Sequence, residues 1–420
     1  MMIMRSQKSL ISVPLQPDGF GRTGTTGLFQ LRNLPRDTCA RILIVFLSLF
    51  LLNACVGYKP PYQGIGKPVA WSRLPGWGLD RVDEVWPVLL RSCQKLQQRS
   101  LPWQGICREA RLISGPDIES VRAFIETRFV AHEMYTEANG TDGLITGYYE
   151  PLLFGSRTKS ERYRFPLYRA PSDLLTVDLG SIYPELANKV VRARIKNKRV
   201  VPYYSRAEID NGGNPLKGNE LVWVDNIVDL FFLHIQGSGR IQLDDGRELA
   251  VGYADQNGHP YESIGTQLIR MGELEAKAVN MPSIKDWLSA YPNKAIELLN
   301  SNPSYIFFSL RVTDDSGPVG SLNVPLTSER SIAVDRRYIP LGYPVWIDTK
   351  LPSEQPYQRL MMAQDTGGAI KGSVRADVFF GHGERAERLA GNMKQPGRLY
   401  ILLPAGTSGI DGYAISRAAD

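Results

Sequence analysis

The sequence predicts a mainly β protein with some helices, and three observations support this fold class. Hydrophobic residues make up 43% and charged residues 22% of the 420 positions, which is typical of a globular chain. The 39 glycines and 28 prolines favour a turn-rich architecture. From residue 144 onward, short runs of β-branched and aromatic residues alternate with turn signals, as strands do.

The elements follow in order along the chain. Apolar spacing predicts a helix over 79–98, with Pro87 as a kink, and Asp117 opens a second helix. Strands are expected within 144–243, and helical spacing returns within 261–299. From Val312 to the end the pattern is again mostly strand-like.

The N-terminal region has the features of an export signal that ends in a lipid anchor. An apolar run over 42–52 follows three arginines and is too short for a comfortable membrane span. It ends in Leu-Asn-Ala-Cys, which resembles a bacterial lipobox with Cys55 as the lipid-bearing residue. We therefore expect a lipoprotein signal at 1–54 and a tether at 55–78. Because Val56 and not Asp follows the cysteine, we expect an outer-membrane lipoprotein that faces the periplasm of a Gram-negative bacterium.

Charge and cysteine content indicate which partners, crosslinks and cofactors are to be expected. The net charge is +6, but residues 1–54 hold six basic and two acidic groups, so the rest is nearly neutral and no nucleic-acid partner is expected. In an oxidising compartment, Cys93 and Cys107 are expected to form a disulfide, although two separately buried thiols are the alternative. The four histidines do not cluster, so neither a metal site nor a cofactor is expected.

Three aspartates near the C-terminus are candidates for chemistry. Asp365 follows an apolar segment and precedes two glycines, Asp377 precedes Val-Phe-Phe, and Asp335 lies in the run SIAVDRRYIPLG. A carboxyl group beside apolar walls is desolvated, which raises its pKa toward the range that a general acid needs. Asp also caps turns, and for any one of these residues that structural role is the alternative.

Several motifs, taken together and in this order, resemble the family of membrane-bound lytic murein transglycosylase A. The matching segments extend from about residue 145 to 403 and comprise TGYYEP (146–151), IQGSG (235–239), YADQNGHPY (253–261), NPSY (302–305) and QDTGGAIKG (364–372). The resemblance implies a double-psi β-barrel catalytic domain over 79–156 and 308–420, with its three-Asp segment at about 325–403. It also implies a second β-barrel domain inserted at 157–307, with a groove between the two domains.

The resemblance also implies the activity and its residues. A lytic transglycosylase cleaves the β-1,4 bond from N-acetylmuramic acid to N-acetylglucosamine in peptidoglycan and leaves 1,6-anhydromuramic ends, by exolytic or endolytic action. Asp377 matches the catalytic acid and Asp365 its carboxylate neighbour. The candidates for binding the glycan are Thr146, Tyr148, Tyr149, Gln236, Ser238, Tyr305 and Asp335. The expected partners are glycan strands, the outer membrane through the lipid, and wall-synthesis proteins.

Three other functions stay open at this point. A non-catalytic wall-binding lipoprotein would keep the groove without needing an acid at 377. A hydrolytic muramidase would use Asp365 and Asp377 as a pair, since ordinary glycosidases employ two carboxyl groups. A serine peptidase is disfavoured because the chain contains no GxSxG motif.

Overall fold

The computed structural model describes residues 64–183, 186, 191–312 and 317–407. The expected fold class is confirmed, since strands dominate and helices occur between them. The strands are β1 (Ile65–Val69), β2 (Phe129–Met134), β3 (Gly143–Glu150), β4 (Leu152–Ser156), β5 (Phe165–Tyr168), β6 (Leu175–Val177), β7 (Val191–Lys196), β8 (Arg199–Pro202), β9 (Glu220–Val224), β10 (Ser238–Leu243), β11 (Glu248–Gln256), β12 (Ile306–Arg311), β13 (Ser331–Val334), β14 (Pro344–Lys350), β15 (Pro356–Asp365), β16 (Arg375–His382) and β17 (Lys394–Pro404).

The helices lie mainly in two groups, one before β2 and one between β8 and β12. They are α1 (Trp86–Leu96), α2 (Leu101–Leu112), α3 (Ile118–Arg128), α4 (Arg206–Asn211), α5 (Ile227–Gln236), α6 (Ile264–Arg270), α7 (Met281–Ala290), α8 (Pro292–Asn300) and α9 (Glu384–Asn392). Within the described ranges, no helix has the length and apolar character needed to cross a membrane. The predicted signal at 1–54 and the predicted lipid-bearing Cys55 lie outside the described residues.

The first sheet closes on itself. Its eight strands run in the order β1-β2-β17-β14-β15-β13-β16-β3, and β3 also pairs with β17. Six strands therefore form a closed ring, which removes their exposed edges. Fully buried side chains such as Val345, Met361 and Ile401 belong to one apolar cluster of this sheet. The double-psi crossing of the strands stays a prediction.

Helices α1 to α3 pack on the first sheet through a layer rich in aromatic side chains. Trp103 of α2 and Trp346 of β14 both belong to this layer. The predicted helix over 79–98 is wrong in its start, because α1 begins at Trp86 and short 3₁₀ turns precede it. Pro87 stands in the first turn, where its missing N–H costs nothing, and so causes no kink. The Asp117 side chain caps α3, as predicted, and Cys93 of α1 forms the predicted disulfide with Cys107 of α2.

The expected tether is wrong over residues 64–78. Strand β1 pairs with β2 at the edge of the first sheet, and Trp77 is buried in the aromatic layer. Three residues further on, Asp80 accepts two hydrogen bonds from the guanidinium of Arg330, which is buried beside it. Because of this strand pairing and burial, residues 64–78 are part of the folded domain and not a tether.

A second sheet contains six strands in the order β12-β11-β10-β4-β9-β5, and β6, β7 and β8 form a small sheet of their own. The predicted boundary at 156/157 differs from this topology, because β4 pairs with β9 and β10 in the second sheet. The chain leaves the first sheet at Pro151, between Glu150 of β3 and β4. Closure of the second sheet into a barrel stays a prediction.

Candidate active site

Strand register brings the two predicted catalytic carboxylates to one place. Ala333 of β13 pairs with Asp365 on one side and with Asp377 on the other. Since neighbouring strands lie about 4.8 Å apart, the backbone positions of the two aspartates are about 10 Å apart, with Ala333 between them. Ala333 is 3% exposed and belongs to one apolar cluster with Tyr148 and Phe379, so aromatic side chains cover the strand between the two carboxyl groups.

Strand β3 supplies one hydroxyl group to each carboxylate. Its parallel register with β16 sets Thr146 opposite Asp377, and the Thr146 hydroxyl donates a hydrogen bond of 2.6 Å to Oδ1. Tyr148, two residues along and so on the same face, donates from its hydroxyl to Oδ2 of Asp365 at 2.9 Å. The structure thus joins the four predicted residues in two hydrogen-bonded pairs, each with its donor on β3.

Asp365 has a further partner that the sequence did not indicate. Ser321 donates to Oδ1 of Asp365 from its backbone N–H at 3.0 Å and from its hydroxyl at 2.9 Å. The contact joins positions 44 residues apart, and no motif in the surrounding SGPVGSLN marks it.

Apolar side chains form the floor beneath the carboxylates. Phe379 is 2% exposed, and its ring lies 5.2 Å from that of Tyr148. Leu326 and Ile370 complete this small cluster. Val378, the other expected apolar neighbour of the acid, points to the opposite face and belongs to the barrel core, as strand alternation requires.

The electrostatics favour a protonated Asp377. Burial raises its pKa, while the charge of Arg375 and the hydrogen bond from Thr146 oppose the rise and the nearby Asp365 adds to it. Burial also raises the pKa of Asp365, against hydrogen bonds from Ser321, Thr366 and Tyr148. Both carboxylates remain partly exposed, so a substrate can reach them.

Burial limits the access of a ligand to three of the predicted glycan-binding residues, which are Tyr149, Tyr305 and Asp335. Tyr149 is 2% exposed and belongs to the barrel core, and Tyr305 is 1% exposed among Tyr203 and Phe307. Strand alternation explains Tyr149, since it follows Tyr148 and so faces the other side. Both side chains pack in the protein interior, and their role as sugar contacts stays a prediction.

Asp335 is likewise buried and serves a structural contact. Its carboxylate pairs with Arg337 and accepts a hydrogen bond from the backbone N–H of Gly372 at 2.9 Å. Burial alone would raise the pKa of Asp335, but these hydrogen bonds hold it below its usual value. The residue stays ionised and anchors the loop between β15 and β16, and its role as a glycan contact stays a prediction.

Gln236 is the last residue of α5, and Ser238 is the first residue of β10. Oε1 of Gln236 accepts a hydrogen bond from the backbone N–H of Tyr149 at 3.0 Å, which ties the end of α5 to β3. Ser238 is 5% exposed, and Gln236 is only partly buried. Among the residues that the structure describes, no group of three or more His, Cys, Asp or Glu side chains is arranged to hold a metal ion.

Comparison with known proteins places both sheets in characterised families. Residues 144–309 match the MltA specific insert domain, and residues 330–403 match the 3D domain. The membrane-bound lytic murein transglycosylase A of Escherichia coli K12 is 32% identical over 307 residues, which cover 71% of this chain and 75% of that protein. A homologue of that enzyme from Buchnera aphidicola is 34% identical over 266 residues, or 61% of this chain and 65% of its own length, just under two thirds.

Solved structures agree with this similarity. A membrane-bound lytic murein transglycosylase from Agrobacterium tumefaciens superposes with a TM-score of 0.73 at 31% identity, covering 81% of this chain and 97% of that one. The E. coli MltA with bound chitohexaose superposes with a TM-score of 0.61 at 28% identity, covering 82% and 95%.

Proposed function

Because the chain belongs to the family of membrane-bound lytic murein transglycosylase A, we propose that it cleaves the β-1,4 bond between N-acetylmuramic acid and N-acetylglucosamine in peptidoglycan and leaves 1,6-anhydromuramic ends. The observation that carries the proposal is the group around Asp377. An acid with a raised pKa lies on an apolar floor, is held by Thr146 and is open on one side. A general acid for glycosidic cleavage needs these properties.

The reaction needs only one acid. The hydrogen bond from Thr146 occupies Oδ1 of Asp377, so we assign the catalytic proton to Oδ2. This proton passes to the glycosidic oxygen as the bond from that oxygen to the anomeric carbon breaks. The resulting carboxylate then takes the proton of the muramoyl C6 hydroxyl while O6 bonds to the anomeric carbon. No water is consumed, and the intramolecular attack gains from a high effective molarity.

Asp365 acts in this proposal as an electrostatic and positioning neighbour. Its charge raises the pKa of Asp377, which keeps the acid protonated at a higher pH. Hydrogen bonds from Tyr148 and Ser321 fix the Asp365 side chain in place. Since its own oxygens accept these bonds, Asp365 is poorly suited to be a nucleophile, and this disfavours the hydrolytic alternative.

The test is digestion of purified sacculi, with the products weighed by mass spectrometry. We expect anhydro products, each lighter by one water than the hydrolytic product. Asp377→Asn keeps the shape and the Thr146 contact and should lower kcat by about 10²- to 10⁴-fold. Asp245→Asn, which changes an exposed turn carboxylate, is the matched control and should behave as wild type.

Reducing-end products alone would replace the lytic assignment by hydrolysis. Binding of glycan without any turnover would support the wall-binding alternative. Near-normal turnover by Asp377→Asn would show that another group is the acid.

We also propose that the chain is anchored in the outer membrane, facing the periplasm, through lipid on Cys55. The support is the apolar run, the Leu-Asn-Ala-Cys ending and Val56 after it. Metabolic labelling with palmitate should mark the wild type and not Cys55→Ala, and membrane fractions should lose the variant. Wall-synthesis proteins are the proposed partners, and in-cell crosslinking followed by mass spectrometry should recover them.

A further inference from the structure

A cavity of about 290 Å³ lies in the part of the molecule that holds the second sheet. Elements β5, β9, α4, α5 and α8 contribute to its wall, and neither Asp365 nor Asp377 lines it. The rings of Phe165, Trp223 and Phe231 provide apolar surface. The volume suits a ligand of monosaccharide or dipeptide size.

A buried cation lines this cavity without an acidic partner in contact. Arg206 is 3% exposed and donates to the backbone carbonyls of Asn302 and Ser304 at 3.2 and 2.7 Å, and to His234 at 3.0 Å. Among the described residues, no carboxylate lies within 4.0 Å of its nitrogens. A guanidinium has five N–H groups, so these three bonds leave two for a ligand. Its guanidinium lies over the rings of Phe231 and Tyr305, and the charge of Asp210 acts on it from beyond ion-pair distance. A buried charge normally requires a partner in contact, and a bound carboxylate would supply one.

The neighbouring histidine presents a second unused donor. A guanidinium can only donate, so Nδ1 of His234 must accept the bond from Arg206, and the proton of the neutral ring then sits on Nε2. Burial, together with the charge of Arg206, lowers the pKa of His234 well below its usual value, which keeps the ring neutral. Nε2 is buried, and no group in the described part of the chain forms a hydrogen bond with it. The residue is 4% exposed and lines the cavity. A buried donor without a partner is unfavourable, so a ligand acceptor at this position would be stabilising.

We propose that this cavity is a binding site for a small organic carboxylate. The carboxylate accepts hydrogen bonds from Arg206 and from Nε2 of His234, and the body of the ligand lies against the aromatic rings. Lys159 and Arg164 also line the cavity, and among the described residues Asp210 is the one acidic residue in its lining, so the site attracts anions.

Two sources offer this chemistry in a cell wall. One is a sugar acid, in which a carboxylate is attached to a pyranose ring, and the other is the C-terminal carboxylate of a short peptide. The inference concerns a site separate from Asp377, and it does not depend on the proposed reaction.

The test is isothermal titration calorimetry on the full-length protein with two matched pairs of probes. N-acetylmuramic acid is compared with N-acetylglucosamine, and N-acetyl-D-alanyl-D-alanine with its C-terminal amide. We expect the acid of at least one pair to bind at least tenfold more tightly than its neutral counterpart, and the pair that does so identifies the source.

Variants separate this site from the catalytic groove. Arg206→Gln should weaken the acid at least tenfold. Because that buried change can also impair folding, Ile296→Trp is the second variant: Ile296 is 48% exposed and lines the cavity, so a larger ring there should block entry. Asp210→Asn removes a like charge and should bind the acid at least as tightly as wild type.

The proposal is overturned if neither acid binds more tightly than its neutral counterpart, or if Ile296→Trp binds the acid as wild type does. Loss of binding in Asp210→Asn would also overturn it, because removing a negative charge from the lining should favour a bound anion. The turnover of sacculi by wild type and Asp377→Asn is measured separately, so failure here leaves the proposed reaction standing.

Discussion

Replacing Thr146 by Val tests how the catalytic acid is held. Valine keeps the volume and removes the hydroxyl that donates to Oδ1 of Asp377 at 2.6 Å. A hydrogen bond to a charged group contributes about 1.5–3 kcal/mol, and it stabilises the carboxylate more than the acid. If the transition state carries about half of the carboxylate charge, the loss is about 1 kcal/mol, or roughly a fivefold decrease in kcat.

The same change moves the pH profile in a defined direction. The Thr146 hydrogen bond lowers the pKa of Asp377, so removing it raises that pKa. Because the acid must be protonated to act, activity is lost as the pH rises through this pKa. In Thr146→Val the alkaline limb of the plot of kcat against pH should therefore shift to higher pH, although the maximum rate falls.

Steady-state kinetics on soluble glycan fragments between pH 4 and about 8 would measure both effects. Thr146→Ser retains the hydroxyl and should stay close to wild type in rate and in profile. A shift of the Val variant's alkaline limb to lower pH would refute the reasoning. A change in KM with kcat unaltered would show that Thr146 contacts the sugar and does not hold the acid.

Three further changes test the electrostatics and the framework. Asp365→Asn removes a charge that raises the pKa of Asp377, so the alkaline limb should move to lower pH, opposite to the Thr146 variant. Replacing Cys93 and Cys107 together by Ser removes a crosslink between positions 14 apart and should lower the free energy of unfolding by about 3 kcal/mol in urea titrations; an unchanged midpoint would contradict this. Asp80→Asn removes the buried one of the two carboxylates that pair with Arg330, Glu84 being the other, and should cost about 1.5–3 kcal/mol by the same measurement, whereas a loss below 1 kcal/mol would show that Glu84 alone satisfies the arginine.

Local sequence signals predicted the parts of the site that depend on one short segment. Asp365 and Asp377 stood out because each adjoins an apolar run, and the motif TGYYEP pointed to Thr146 and Tyr148. Periodicity also located α3 and its capping residue, Asp117. Each of these signals lies within a few residues of the position it describes.

Features that depend on distant pairing could not be derived in this way. Ser321 reaches Asp365 across 44 residues, and the pairing of Ala333 with both aspartates appears only when β13 lies between β15 and β16. Motif membership also says nothing about which way a side chain points. The motif TGYYEP makes Tyr149 a candidate for glycan binding together with Tyr148. The pleat of the strand, however, directs the two rings to opposite faces of the sheet.

The register of β3 controls both hydroxyl contacts at once, and Gly147 is the residue through which it can be tested. A Cβ at Gly147 would lie 2.5 Å from the Phe380 ring and 2.9 Å from Cα of Ala390 in α9, so the strand or the helix must shift. Overpacking of this kind costs about 1–3 kcal/mol in stability. Since Thr146 and Tyr148 flank this position, Gly147→Ala should displace both donors and lower kcat more than Thr146→Val does. A folded Gly147→Ala protein, judged by circular dichroism and urea titration, with wild-type turnover would show that the site tolerates movement of β3 and that its geometry is set elsewhere.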